Sequence, residues 1–158
     1  MFHINHPREL SPESREAIGR LVDNGVPCLS QTALLRGVND DRETLKELFV
    51  GLVEYRVKPY YLFHTDPIEG LGHFRVSMRK GMEIMRSLYD RMSGLAYPLY
   101  VFNVPGGRGH VLLLPSSVLD LGNGRYQITT FEGDSVDYVE DFSMDQMEGS
   151  TMGGLDGS

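Results

Sequence analysis

One cysteine, Cys28, stands in the 158-residue chain. A lone thiol allows no internal disulfide and cannot by itself hold an iron–sulfur cluster or a thiolate zinc site, so any such metal must be supplied from elsewhere. No run of about 18 apolar residues occurs, which leaves nothing to cross a membrane as a helix. The first residues, Met1-Phe2-His3-Ile4-Asn5-His6-Pro7, lack a basic region followed by an apolar one. From these two absences a cytoplasmic location is expected. Positive charge is scarce as well: 15 Lys and Arg face 22 Asp and Glu, for a formal net charge of −7. That balance argues against nucleic acid or an anionic membrane as the main partner, since both need a basic face. The chain is also too short for a complete eight-unit αβ barrel, which takes about 250 residues. With 41% hydrophobic and 23% charged residues it still suffices for one domain with a real core.

What is present alternates between strand and helix patterns. Phe2-His3-Ile4 reads as a strand fragment. Ser11-Pro12-Glu13 supplies a cap and a first-turn proline for a helix running to about Asn24-Gly25, with Ile18, Leu21 and Val22 on one face. Val26 to Leu35 is a strand candidate, and Gly37 to Asp41 a turn leading to a cap. From Arg42 to about Tyr55, Leu45, Leu48, Phe49 and Leu52 fall at helical spacing. Val57 to Phe63 is again strand-like. Met78 to Met92 repeats the helical pattern through Met82, Ile84, Met85, Leu88 and Tyr89, with Gly94 as a C-cap. Pro98 to Val104 is a further strand, and Val111 to Pro115 is apolar. Arg125 to Phe131 and Ser135 to Val139 alternate around glycine turns and predict a small antiparallel addition. From Ser143 onward little can be buried, which predicts a disordered tail. The expected class is therefore α/β, parallel strands with crossover helices over residues 1–142 that make a partial (half) αβ barrel or a small open sheet, with that antiparallel addition, then a tail over 143–158.

Functional groups concentrate after the third predicted strand, in His64-Thr65-Asp66-Pro67 and Glu69-Gly70-Leu71-Gly72-His73-Phe74-Arg75, and after the fourth, in Pro105-Gly106-Gly107-Arg108-Gly109-His110. Ligands of βα sheets sit at carboxyl ends of strands, so Asp66 is the first candidate. Each feature also has a plain reading. The Gly106–Gly109 run suits a tight turn; His3, His6, His64, His73 and His110 lack helical ligand spacing, so no metal site is expected; Cys28 suits a buried small hydrophobe; Arg75 can pair with Asp66 or Glu69.

Several stretches then resemble a known family in order and spacing: His3 to Leu10, Gln31-Thr32-Ala33-Leu34-Leu35-Arg36-Gly37-Val38-Asn39-Asp40, Arg56-Val57-Lys58-Pro59-Tyr60-Tyr61-Leu62 with Asp66 and Gly70 to Arg75, and Pro105-Gly106-Gly107. Together, over about Phe2 to Tyr138, they resemble the C-terminal part of lysine 2,3-aminomutase and its relatives. The resemblance implies a radical S-adenosylmethionine enzyme on a partial αβ barrel. Such an enzyme uses a [4Fe–4S] cluster and pyridoxal phosphate while an amino group of an amino acid moves between adjacent carbons. It places His3 and Gln31 against the adenosylmethionine or its products, and Asp66 on the side-chain ammonium of a cationic substrate. A second ammonium-binding aspartate becomes Asn103, a neutral amide. The lysine of the internal Schiff base becomes His110, which cannot form an aldimine; the neighbouring Arg108 could touch a phosphate but stays protonated and cannot replace that amine. Gly106 and Gly107 complete the implied cofactor-binding set. The family's C-terminal cysteine cluster has no counterpart, and the position of its partner cysteine falls on Asp41, so no structural zinc is expected.

Three readings follow. The chain is the C-terminal, substrate- and cofactor-binding part of an aminomutase-like radical enzyme, inactive alone; or a subunit that docks on a cluster-bearing half or forms a homo-oligomer; or a non-catalytic remnant. The first is adopted as what the residues are shaped for, with a small-molecule amino acid as the ligand.

Overall fold

A computed structural model describes residues 1–65, 70, 72–104, 106–113, 117–130 and 133–140. The expected tail over 143–158 lies outside the described residues, as does Asp66. The chain divides into two compact units, residues 1–115 and 116–158.

The first unit is a sheet of five strands in sequence order, β1 (Phe2–His3), β2 (Leu29–Leu34), β3 (Lys58–His64), β4 (Leu99–Asn103) and β5 (His110–Leu112). The first four are parallel, and β5 returns antiparallel to β4. Three helices make the crossovers: α1 (Pro12–Asp23), α2 (Arg42–Glu54) and α3 (Met78–Leu88). Each starts at a side-chain cap. Ser11 Oγ accepts from Ser14 N at 3.2 Å, Asp41 Oδ1 from Thr44 N at 2.9 Å, and Ser77 Oγ from Lys80 N at 3.2 Å.

Parallel strands laid down in sequence order wind in one sense, and right-handed crossovers then put every helix on the same face. Burial agrees. In β2, Ser30, Thr32 and Leu34 are buried while Leu29, Gln31 and Ala33 are only half-buried. In β3 the alternation skips one residue, because Ser30 pairs with Pro59 and Gln31 with Tyr61, leaving Tyr60 as a bulge. Leu34, Leu62 and Tyr100 join Ile18, Leu45, Leu48, Phe49, Leu52, Ile84, Met85 and Leu88 in one core cluster. Burying such a side chain contributes about 1.5–3 kcal/mol, so this helix-facing layer is where stability resides.

The second unit is a three-stranded antiparallel sheet of β6 (Val118–Gly122), β7 (Arg125–Thr129) and β8 (Ser135–Val139). None of its strand residues is fully buried.

The order of elements and the antiparallel addition thus match expectation as a mixed α/β fold. Local differences have physical causes. The strand expected from Val26 begins at Leu29, after Pro27. Leu21, expected on the apolar face of α1, is 42% exposed. The helix expected to reach Met92 ends at Leu88, because Tyr89 turns extended (ψ 135°) and Asp90 takes a left-handed φ of 58°. Tyr89 is accordingly 57% exposed, and Gly94 caps nothing. The strand β6 was not among the expected elements.

Candidate functional site

Strand pairing decides which side chains meet. Gln31 on β2 pairs with His3 on one side and Tyr61 on the other. Ala33 pairs with Phe63, which pairs with Val101. Asn103 and His110 are partners across the β4–β5 pair. Side chains at alternate positions share a face, so His3, Gln31, Tyr61, Phe63, Asn103 and His110 all lie on the face opposite the helices. On that face His3 and His110 are exposed, Gln31, Tyr61, Phe63 and Asn103 half-buried, and Val101, the partner of Phe63, buried.

Aromatic rings tie its middle together. The His110 ring lies 5.4 Å from Phe63, edge-on at 73°, and 5.7 Å from Tyr61; Tyr61 and Phe63 are 5.4 Å apart. Such pairs contribute about 0.5–1.5 kcal/mol beyond the area they bury. His3 is exposed and Gln31 half-buried, so both present hydrogen-bonding groups at one end of this wall. His3 and Gln31 form one neighbouring pair and Asn103 and His110 another, with β3 between the two. Tyr61 and Phe63, which complete the wall, were visible in the sequence only as part of an aromatic strand. Their alternate spacing is the signal that could have singled them out.

The Gly106–Gly109 segment links β4 to β5. Val104 N donates to Gly109 O at 3.0 Å, and Gly106, Gly107 and Gly109 have φ of 83°, 71° and 84°. A β-carbon would meet nothing within 4 Å at any of the three. The left-handed backbone therefore explains these glycines, in line with the tight-turn reading. Arg108 projects from the turn and is exposed.

Behind the wall the strand ends are braced. Asn39, fully buried, accepts from Leu35 N at 2.7 Å and donates to Asn5 O and Ala33 O, each at 2.8 Å. Asn5 Oδ1 accepts from Ala33 N at 2.8 Å. The chain leaving β1 and the turn leaving β2 are thus locked together. On the helix side His64 Nδ1 and Tyr100 Oη are 2.7 Å apart, and burial pushes the Tyr100 hydroxyl well above its usual range. Thr65 Oγ1 donates to Leu34 O. These contacts tie the carboxyl end of β3 to that of β2 and to the start of β4.

The cofactors implied by the resemblance can be tested against these groups. A cluster needs several thiolates; the sole cysteine, Cys28, is buried beside its own strand, with Sγ 3.4 Å from Val26 O. That does not fit. Among the described residues no three His, Cys, Asp or Glu side chains converge as a metal site. Asp41, at the position of the family's partner cysteine, is occupied as the α2 cap, and its carboxyl is held below the usual range chiefly by the Thr44 N–H. A pyridoxal anchor needs a primary amine, and the chain has three lysines. Lys46 is exposed on α2; Lys80 pairs with Asp40; Lys58, at the start of β3, donates to the carbonyls of Leu95 at 2.8 Å and Tyr97 at 2.9 Å. Lys46 and Lys80 belong to helices, and Lys58, whose pairing with Leu29 puts it on the same face as Gln31, stands at the amino end of β3 with its Nζ engaged by carbonyls, so a covalently anchored pyridoxal does not fit either. No described helix is long and apolar enough to cross a membrane.

No family model matches the chain. Curated relatives do. It is 43% identical over 138 residues to L-lysine 2,3-aminomutase of Methanococcus maripaludis, covering 87% of this chain and 32% of that one. It is 41% identical over 138 residues to L-lysine 2,3-aminomutase of Clostridium subterminale, covering 87% and 33%. It is 38% identical over 143 residues to glutamate 2,3-aminomutase of Clostridioides difficile, covering 90% and 34%. The chain thus spans about a third of the length of the curated relatives it matches. Over that third, this chain belongs to the lysine 2,3-aminomutase family.

Proposed function

We propose that this chain is the C-terminal, substrate-facing part of an aminomutase-like radical protein, one that moves an amino group between adjacent carbons of an amino acid, and that it does not catalyse this reaction alone. The observation that carries the reading is the sheet face turned away from the helices: all three helices stack on one side, and the other presents His3, Gln31, Tyr61, Phe63, Asn103 and His110 in a row set by strand register. A face carrying amide, imidazole and phenol groups is suited to bind a polar ligand. In this reading His3 and Gln31 meet adenosylmethionine supplied with a cluster-bearing half. Asp66 and Asn103 meet the amino-acid side chain, and Arg108 meets an anionic group near the turn.

The relatives include enzymes named for lysine and for glutamate, and the two demand opposite charges at the side-chain end. Asp66 favours the cation, while the neutral Asn103 weakens that preference. Isotope-labelled chain titrated with lysine and with glutamate tests this. Amide shifts at Gln31, Asn103 and His110 that saturate with lysine at lower concentration than with glutamate are expected. Neither amino acid moving these signals, in a folded sample, sinks the proposal.

A further inference from the structure

We infer that the ligand site on the face opposite the helices has no covalent anchor in this chain, so that a pyridoxal aldehyde brought to it finds no amine placed to form a Schiff base. The inference rests on the reading just given, since it takes that face as the ligand site. Forming a Schiff base joins a primary amine nitrogen to the aldehyde carbon and expels the aldehyde oxygen as water, with both N–H protons lost from the amine. Imidazole has no such nitrogen. At the position where the resemblance expects the lysine, the chain presents the His110 ring packed edge-on to Phe63 at 5.4 Å and 5.7 Å from Tyr61.

The three lysines cannot stand in. Lys58 opens β3 on the same face as Tyr61, three residues and roughly 10 Å away at about 3.3 Å per residue. Burial holds its pKa below the usual lysine range, which makes it a reactive amine in principle. Its Nζ is nevertheless directed at the carbonyls of Leu95 and Tyr97. Lys80 sits in the first turn of α3 against Asp40, and Lys46 on the solvent side of α2. What remains near His110 is the Arg108 guanidinium, always charged and suited to a phosphate, but no nucleophile.

The test mixes the full chain with pyridoxal phosphate, reduces with borohydride, and maps the adducts by peptide mass, beside a His110→Lys chain whose fold is checked by far-UV circular dichroism. Wild type is expected to show no saturable aldimine band, and only trace adducts scattered over Lys46, Lys58, Lys80 and the amino terminus. His110→Lys is expected to gain a saturable band and about one equivalent of adduct at position 110. A stoichiometric wild-type adduct on any single lysine overturns the inference. A folded His110→Lys chain with no preferred adduct at position 110 overturns it too, because that position is then not in the site. The amino-acid titration is an independent readout, so failure of the functional reading is distinguishable from failure here.

Discussion

A β-carbon at Gly81 would lie 1.9 Å from Tyr100 Oη and 2.6 Å from Cζ, so the glycine in α3 is required by the tyrosine beneath it. Gly81→Ala is expected to cost about 1–3 kcal/mol by overpacking, read as a lower urea midpoint. Combining it with Tyr100→Phe is expected to cost less than the sum, since the nearest clashing atom is gone. Asn39 makes a sharper case. Asn39→Ala strips partners from Leu35 N, Asn5 O and Ala33 O at once, and about 3 kcal/mol or more of stability should go with them. On the wall, Asn103→Asp restores a carboxylate beside the proposed ammonium site. It should raise the preference for lysine over glutamate about tenfold in the same titration. Single residues of this kind were only partly legible. His3, Gln31, Asn103 and His110 could be picked out because motif order carried them, whereas the His64–Tyr100 contact joins residues 36 apart that no local pattern relates.

Helices were the most legible elements, because capping is local chemistry. Ser11-Pro12 and Asp41 announce α1 and α2 within one turn of where they begin. The end of α3 was not legible: Tyr89 and Met92 continue the apolar period while Asp90 breaks the backbone. Nor was the pairing of β5, since a short apolar run gives no direction. The cap of α2 yields a pH test. The Asp41 carboxyl is held low chiefly by the Thr44 N–H. Its contribution is therefore whole above the ordinary aspartate pKa of about 4 and is lost as pH falls through the lower folded value. Asp41→Asn keeps a capping oxygen without the titration. The melting-temperature gap between wild type and this variant should be constant from about pH 7 to 5 and shrink toward pH 3; a gap independent of pH down to that point contradicts the assignment. Asp41→Ala, which removes the cap, should cost about 1 kcal/mol.

At the scale of the molecule the two units differ in kind. The first has a continuous core of fully buried aliphatic and aromatic side chains, while the strand residues of the second are all exposed or half-buried. Hydrogen exchange should separate them. Amides of β2, β3 and β4 are expected to exchange at least about 100-fold more slowly than those of β6, β7 and β8; equal protection would mean that the second sheet has a stability of its own. Composition could announce one domain's worth of core but not this uneven division, because apolar residues such as Val118, Leu119 and Val136 occur in the second unit without being buried. The first sheet carries a further consequence. Its strand order is its chain order, and each parallel strand is added beside its predecessor with no rethreading. A gene cut between two such units leaves both products with their strands already sorted. Pieces of a protein built this way can rejoin by lateral addition of strands, so division of one ancestral coding sequence into two is topologically easy.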